Sequence, residues 1–151
     1  MDKTAKCSCG NLSISISGKP DIIATCSCKD CQVRTGSAFA VNAYFADDCV
    51  VAKTGEGKEF THISDEGRPI TRSFCPECGT TVSWKAALLP QHVGIPVGGF
   101  ADPDFPEPRV AVWQASKHKW VNFPEHWMHS DSQDVGNPNP KVKIVREQKC
   151  G

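Results

Sequence analysis

No sign of charge dominates this chain: lysine plus arginine and aspartate plus glutamate number 17 each among 151 residues. A nucleic-acid binder normally carries a basic excess, so the balance disfavours that class. No run of like charges is long enough to serve as a tail for a membrane or a polyanion. No segment approaches the roughly 20 apolar residues of a membrane helix. The N-terminal stretch MDKTAKCSCGNLSISIS has no apolar run of signal-peptide length. These absences predict a cytoplasmic protein with no membrane or nucleic-acid partner. Internal repeats beyond the recurring cysteine clusters, and low-complexity blocks, are also missing. What remains, 39% hydrophobic and 23% charged residues, is ordinary for one globular domain with a single core.

Helical signal is scarce, and the pattern reads mainly β. NLSISISG alternates strictly, with Leu12, Ile14 and Ile16 against serines, as a half-buried strand does. SAFAVNAYF, CVVAKTG, EFTHIS, ITRSF, TTVSW, HVGIPVGGF and RVAVWQAS supply further extended pieces. Pro96 predicts an edge or a bulge in its segment. SDEGRP predicts a hairpin turn, with Gly67 at the sharp bend. CKDCQVRTG predicts one helical turn ending at Gly36. The expected organisation is a domain over residues 1–130 and a loosely attached tail over 131–151, with one short strand near KVKIV.

Cysteine, by contrast, is abundant: nine, in a chain without an export signal. In a reducing compartment clustered cysteines are more often metal ligands than disulfides, and an odd number cannot all pair within one chain. Cys7 and Cys9 in CSCG, and Cys75 and Cys78 in CPECG, each end in Cys-Gly. A glycine there lets the backbone turn tightly and aim N–H groups at sulfur. Two such knuckles make a closed four-sulfur zinc site. Cys26, Cys28 and Cys31 form a separate trio. Three protein ligands leave one tetrahedral position for water or substrate, the arrangement of catalytic zinc. Cys49 and Cys150 stand alone; Cys49 reads as a small buried residue on a strand and Cys150 as a free thiol.

Charge then selects the chemistry. Three thiolates on Zn²⁺ leave a net negative centre, a poor activator of water but a good acceptor of a soft fourth ligand. A thiol substrate fits, and nearby cations should help it. Arg34 and Lys29 flank the trio, and Arg34 and Ser37 are the candidate substrate contacts. Competing arrangements remain. One metal might take Cys7, Cys9, Cys26 and Cys28; the trio could hold a disulfide; or a histidine or a partner's residue could close it as a structural site. Trp84, Trp113, Trp120 and Trp127 read as packing residues, and the five scattered histidines as surface or satisfied core groups.

CSCG, CSCKDCQVRTGSAF, SFCPECGTTVSW and PRVAVWQASKHKWV, in this order and spacing, resemble the glutathione-dependent formaldehyde-activating enzyme family, which includes a centromere-protein V branch. The likeness runs from about Thr4 to Trp127. It implies a β-tent of packed antiparallel sheets stapled by zinc, with two Zn²⁺ per chain. Cys7, Cys9, Cys75 and Cys78 would hold the structural ion and Cys26, Cys28 and Cys31 the catalytic one. The implied activity is that of a carbon–sulfur lyase acting on thiol–aldehyde adducts, with glutathione as the small thiol partner. Ser27 departs from the pattern, standing where many members have histidine. The alternative is a non-catalytic, zinc-stabilised module for binding a thiol or a protein.

Overall fold

The computed structural model describes residues 2–133. The strand expected near residues 141–145, the thiol of Cys150 and most of the expected tail lie outside the described residues. The fold is mainly β, in two sheets.

The smaller sheet holds β1 (Asp2–Lys6), β2 (Ser13–Ser17) and β5 (Val50–Thr54), in the order β1-β2-β5. The larger sheet contains β3 (Ile22–Cys26), β4 (Ala40–Ala46), β6 (Lys58–Ile63), β7 (Pro69–Phe74), β8 (Thr81–Ala86), β9 (His92–Pro96), β10 (Val110–Val112) and β11 (Met128–His129). Its order is β11-β10-β3-β4-β9-β8-β7-β6. The single α-helix among the described residues, α1 (Lys29–Thr35), follows β3 directly.

The alternation at Ser13–Ser17 does what its chemistry requires. Ile14 and Ile16 are each 1% exposed, and the intervening serines face outward. They pack with Ala5 from β1 against Ala43, Phe45, Val93 and Ile95 of the larger sheet. Burying one such large apolar side chain contributes roughly 1.5–3 kcal/mol, so this seam holds the sheets together.

Three details differ from the expected pattern. The larger sheet is mixed: β10 runs parallel to both β3 and β11. The long return after β9 gives the chain room for a parallel crossover that a tight hairpin could not provide. Pro96 does not mark an edge strand, because β9 lies between β4 and β8. Pro96 is instead the last residue of β9, where the ladder stops and a 3-10 turn begins at Val97. Cys49 lies at the end of a 3-10 turn, is buried, and is disulfide-bonded. The strands over Asp2–Lys6 and Ile22–Cys26 were not anticipated. The first is too charged, and the second too short and unalternating, to stand out in sequence.

The hairpin turn over SDEGRP forms as expected, with Gly67 at φ 77° and its N–H donating to the Ser64 carbonyl. α1 also ends as expected, on Gly36 in the left-handed region at φ 65°.

The outer face of the larger sheet positions the site. Ile22, Tyr44, Gly94, Trp84, Arg72 and Phe60 are register partners in one row across six strands. Cys26 and Asn42 share that face by alternation along β3 and β4. Gly94 is required in this row: a Cβ there would meet Trp84 Nε1 at 2.1 Å and Cε2 at 2.3 Å. The indole thus lies flat across β9. Gly94→Ala should force the indole off its seat and lower stability by about 1–3 kcal/mol. Denaturant unfolding checks this; an unchanged midpoint would mean that the ring moves freely.

Candidate metal centres and the cleft between them

Both Cys-Gly motifs become hairpin turns. Cys7 and Cys9 occupy the β1–β2 turn, and Cys75 and Cys78 the β7–β8 turn. Gly10 and Gly79 adopt φ 81° and 76°, which glycine reaches without strain. In each turn a backbone ring closes on the first cysteine: Gly10 N–H donates to the Cys7 carbonyl, and Gly79 N–H to the Cys75 carbonyl. The Leu12 N–H also donates to Cys7 Sγ at 3.2 Å. Thr80 joins the two turns, bonding Ser8 through its hydroxyl and lying 3.3 Å from Cys78 Sγ.

All four sulfurs lie within 4.8 Å of one another. The Cys7–Cys9 and Cys9–Cys75 separations are both 3.6 Å. A tetrahedral ion with metal–sulfur bonds of about 2.3 Å needs sulfur pairs about 3.8 Å apart. The donor set therefore fits zinc with little adjustment, and it joins a hairpin of the small sheet to a hairpin of the large one. Thr80, through its hydroxyl and its N–H, holds Cys78 down to about 5. The Asn11 N–H pulls Cys9 down, but burial and three neighbouring thiols outweigh it and push Cys9 up to about 12.

The trio forms a second group. Cys26 ends β3, Cys28 is the N-cap of α1, and Cys31 lies in the helix's first turn. Their sulfurs also lie within 4.8 Å of one another, and among the described residues no fourth cysteine, histidine or carboxylate joins them. The alternative grouping of Cys7, Cys9, Cys26 and Cys28 is not formed, and the trio contains no disulfide.

Local bonds explain why the trio converges. Cys28 Sγ accepts the Cys31 N–H at 3.3 Å and so caps the helix. The intervening Ser27 is fully buried. Its N–H donates to the Val112 carbonyl, and its own carbonyl accepts from Gln32 Nε2 at 2.8 Å and Ser116 Oγ at 2.8 Å. The WQAS segment thus clamps the loop that carries the sulfurs. Hydrogen bonds from Cys26 and Cys28, with help from the Arg34 guanidinium, draw Cys31 down to about 3 against burial. Cys26 is pushed up by its bonds to Cys28 and Cys31 and by burial. Cys28 is also raised: the pull of Cys26 is outweighed by Cys31 and by burial. The negative charge of the trio is therefore favoured on Cys31 over Cys26 and Cys28.

Arg34, in the last turn of α1, reaches toward Cys31 and lies over Trp84, with its guanidinium carbon 5.0 Å from the ring centroid. Trp84 is buried as a packing residue should be, yet it is also the floor beneath this cation. Arg34 and Thr35 line a cleft of about 830 Å³ with Lys6, Ser8, Thr80 and Gly98. The cleft therefore runs between the helix carrying the trio and the turns carrying the four-sulfur group. Ser37 lies past Gly36, exposed, with its N–H on Thr35 Oγ1 at 3.2 Å; it does not line the cleft, whereas Thr35 does.

Three residues near the trio carry no motif in sequence. Arg72 lies one strand from Trp84, Tyr44 meets the Trp84 indole edge-on, and His62 Nε2 sits 3.2 Å from Asp30 on α1. Only cross-strand register brings them to the site.

A family model described as glutathione-dependent formaldehyde-activating enzyme matches residues 2–116. A crystal structure of a Rhodobacter sphaeroides protein resembles the fold at TM-score 0.50 and 20% identity, covering 66% of this chain and 91% of that one. No curated protein matches the chain. Among the described residues no helix is long and apolar enough to cross a membrane.

Proposed function

The chain belongs to the glutathione-dependent formaldehyde-activating enzyme family, and from that premise we propose that it is a zinc-dependent carbon–sulfur lyase for thiol–aldehyde adducts. Glutathione and formaldehyde are the model pair. The observation that carries this reading is the contrast between the clusters: four converging sulfurs in one, three in the other. Cys7, Cys9, Cys75 and Cys78 would hold a structural zinc, and Cys26, Cys28 and Cys31 a catalytic one. Bound by the trio, Zn²⁺ would offer a soft, open coordination position that favours a substrate sulfur in its thiolate form.

The chain's own residues do the rest. Arg34 places positive charge beside the sulfurs, offsetting the charge that a further thiolate brings. Ser27, pinned through three backbone bonds, holds Cys26 and Cys28 in place. The cleft would hold the body of the thiol, with Thr35 available at the helix end for polar contacts. In the reaction the thiol adds across the carbonyl: a C–S bond forms, the C=O π bond is lost, and the thiol's proton ends on oxygen. The reverse breaks the same bond, and neither direction changes oxidation state. Residues 1–130 would form the working unit, with the seven clustered thiols free to take up metal.

NMR exchange of glutathione with formaldehyde tests this reading. Zinc-loaded protein should speed exchange well above the uncatalysed rate; equal rates with and without protein would leave only a thiol-binding module. Metal uptake carries its own signature. Cys26 and Cys28 are raised and Cys31 lowered, so protons must leave the trio when metal enters. Apparent affinity should therefore rise with pH across neutrality. Chelator competition between pH 6 and pH 8 measures it, and a pH-independent affinity would contradict it.

A further inference from the structure

Among the described residues, two arginines on the site's face have no carboxylate partner. Six ion pairs form among the described residues, and neither Arg34 nor Arg72 takes part in one. Asp30 acts on Arg72 only from longer range. Both cations instead rest on aromatic rings. The Arg34 guanidinium carbon is 5.0 Å from the Trp84 ring centroid, and that of Arg72 is 5.5 Å from the Phe60 centroid. Phe60, Arg72 and Trp84 are direct register partners on β6, β7 and β8. The two guanidinium groups therefore stand over neighbouring positions of one sheet face.

Apart from the Cys31 sulfur beside Arg34, no anion among the described residues offsets this pair of like charges at close range. Burial, and then the charge of Arg34, hold Arg72 below the usual arginine range. Packing on a ring orients each guanidinium and leaves the edge N–H groups of Arg72, and those of Arg34 not turned to Cys31, for a planar oxyanion. A shallow, open recess lies beside the pair. Arg72 lines a recess of about 280 Å³ with Phe60, Phe74, Gly79 and Thr81. Gly79 and Thr81 also line the larger cleft that Arg34 borders. The recess therefore adjoins the cleft that Arg34 borders, and Arg34 also reaches Cys31 of the trio.

We propose that Arg72 and Arg34 form a carboxylate clamp, which binds a carboxylate of the thiol substrate and selects anionic, peptide-sized thiols over neutral ones. This rests on the thiol-substrate reading above and names the chemistry its substrate must carry. Arg72 is a binding residue distinct from the sulfur cluster. A paired, charge-assisted contact of this kind is typically worth tenfold or more in affinity, on the order of 10- to 100-fold.

The test uses full-length, zinc-loaded protein and a probe whose sulfur is capped. S-methylglutathione keeps both carboxylates and lacks the thiol; its dimethyl ester lacks the carboxylates as well. Calorimetry should show wild type binding the acid roughly tenfold or more tighter than the ester, with the preference shrinking as salt rises. Arg72→Gln should remove most of that preference while leaving ester binding unchanged. Arg72→Lys should restore it only in part, because an ammonium lacks the planar fork. Equal binding of acid and ester by wild type, no binding of either, or an Arg72→Gln chain that binds the acid like wild type would each overturn the clamp. If Arg72→Gln fails to fold or to retain two zinc ions, the acid-to-ester ratio of wild type and its salt dependence decide alone. The glutathione–formaldehyde exchange assay is independent. Exchange without acid preference sinks the clamp and spares the lyase; acid preference without exchange does the reverse.

Discussion

Cys28→Ser should leave the protein folded and remove its turnover. Cys28 is half-buried, lies outside the main apolar core, and acts locally as the N-cap of α1. Serine is itself a strong N-cap, so its hydroxyl can accept the Cys31 N–H that Cys28 Sγ now accepts at 3.3 Å. The helix survives, and stability should change by less than about 1 kcal/mol. A hydroxyl does not replace a thiolate on zinc. Since altering even the partners of metal ligands costs about 10–100-fold, removing a ligand should lower exchange by more than about 100-fold. The purified variant should carry one zinc in place of two, with a thermal midpoint within a few degrees of wild type. Retained exchange would move the chemistry away from the trio.

Cys75→Ser should do the opposite, destroying the fold before any question of activity arises. Cys75 is 1% exposed and belongs to the main core. Its sulfur lies 3.6 Å from Cys9 Sγ, the contact that joins the two hairpin turns. Structural zinc contributes about 10–16 kcal/mol in small peptides, as much as the roughly 5–15 kcal/mol of a whole domain's stability. The serine hydroxyl would also be buried beside other sulfurs, at a further cost of about 1–3 kcal/mol. The expected outcome is loss of the cooperative unfolding transition at 25 °C, or aggregation on expression. Circular dichroism and metal analysis decide. A folded Cys75→Ser chain with one zinc would show that the sheets hold together without this staple.

The cysteine spacing made the two centres legible. CSCG and CPECG encode their own turns, since glycine must follow the second sulfur to reach a positive φ, and both did so. CKDCQVRTG announced a helix end at Gly36, and the strict alternation around Ile14 announced a buried face. What sequence could not show was which strand lies beside which. Arg72, Trp84 and Phe60 are ordinary residues in ordinary strand segments until register aligns them in one row. The same holds for Ser27, which reads as a departure from a pattern but is a fully buried anchor for the trio's loop. Arg34 was found through its place beside the trio; its floor, Trp84, lies fifty residues away in the chain. Local chemistry is written in local sequence, whereas partners across a sheet depend on the whole fold.

The most direct test counts sulfur around zinc by X-ray absorption, before and after glutathione is added. Seven cysteine sulfurs shared by two ions give an average of about 3.5 per zinc, and a visiting thiolate raises it to about 4. That rise, absent with S-methylglutathione, is the predicted result. An average already at four without glutathione, or one that does not move when it is added, would contradict an open position at Cys26, Cys28 and Cys31.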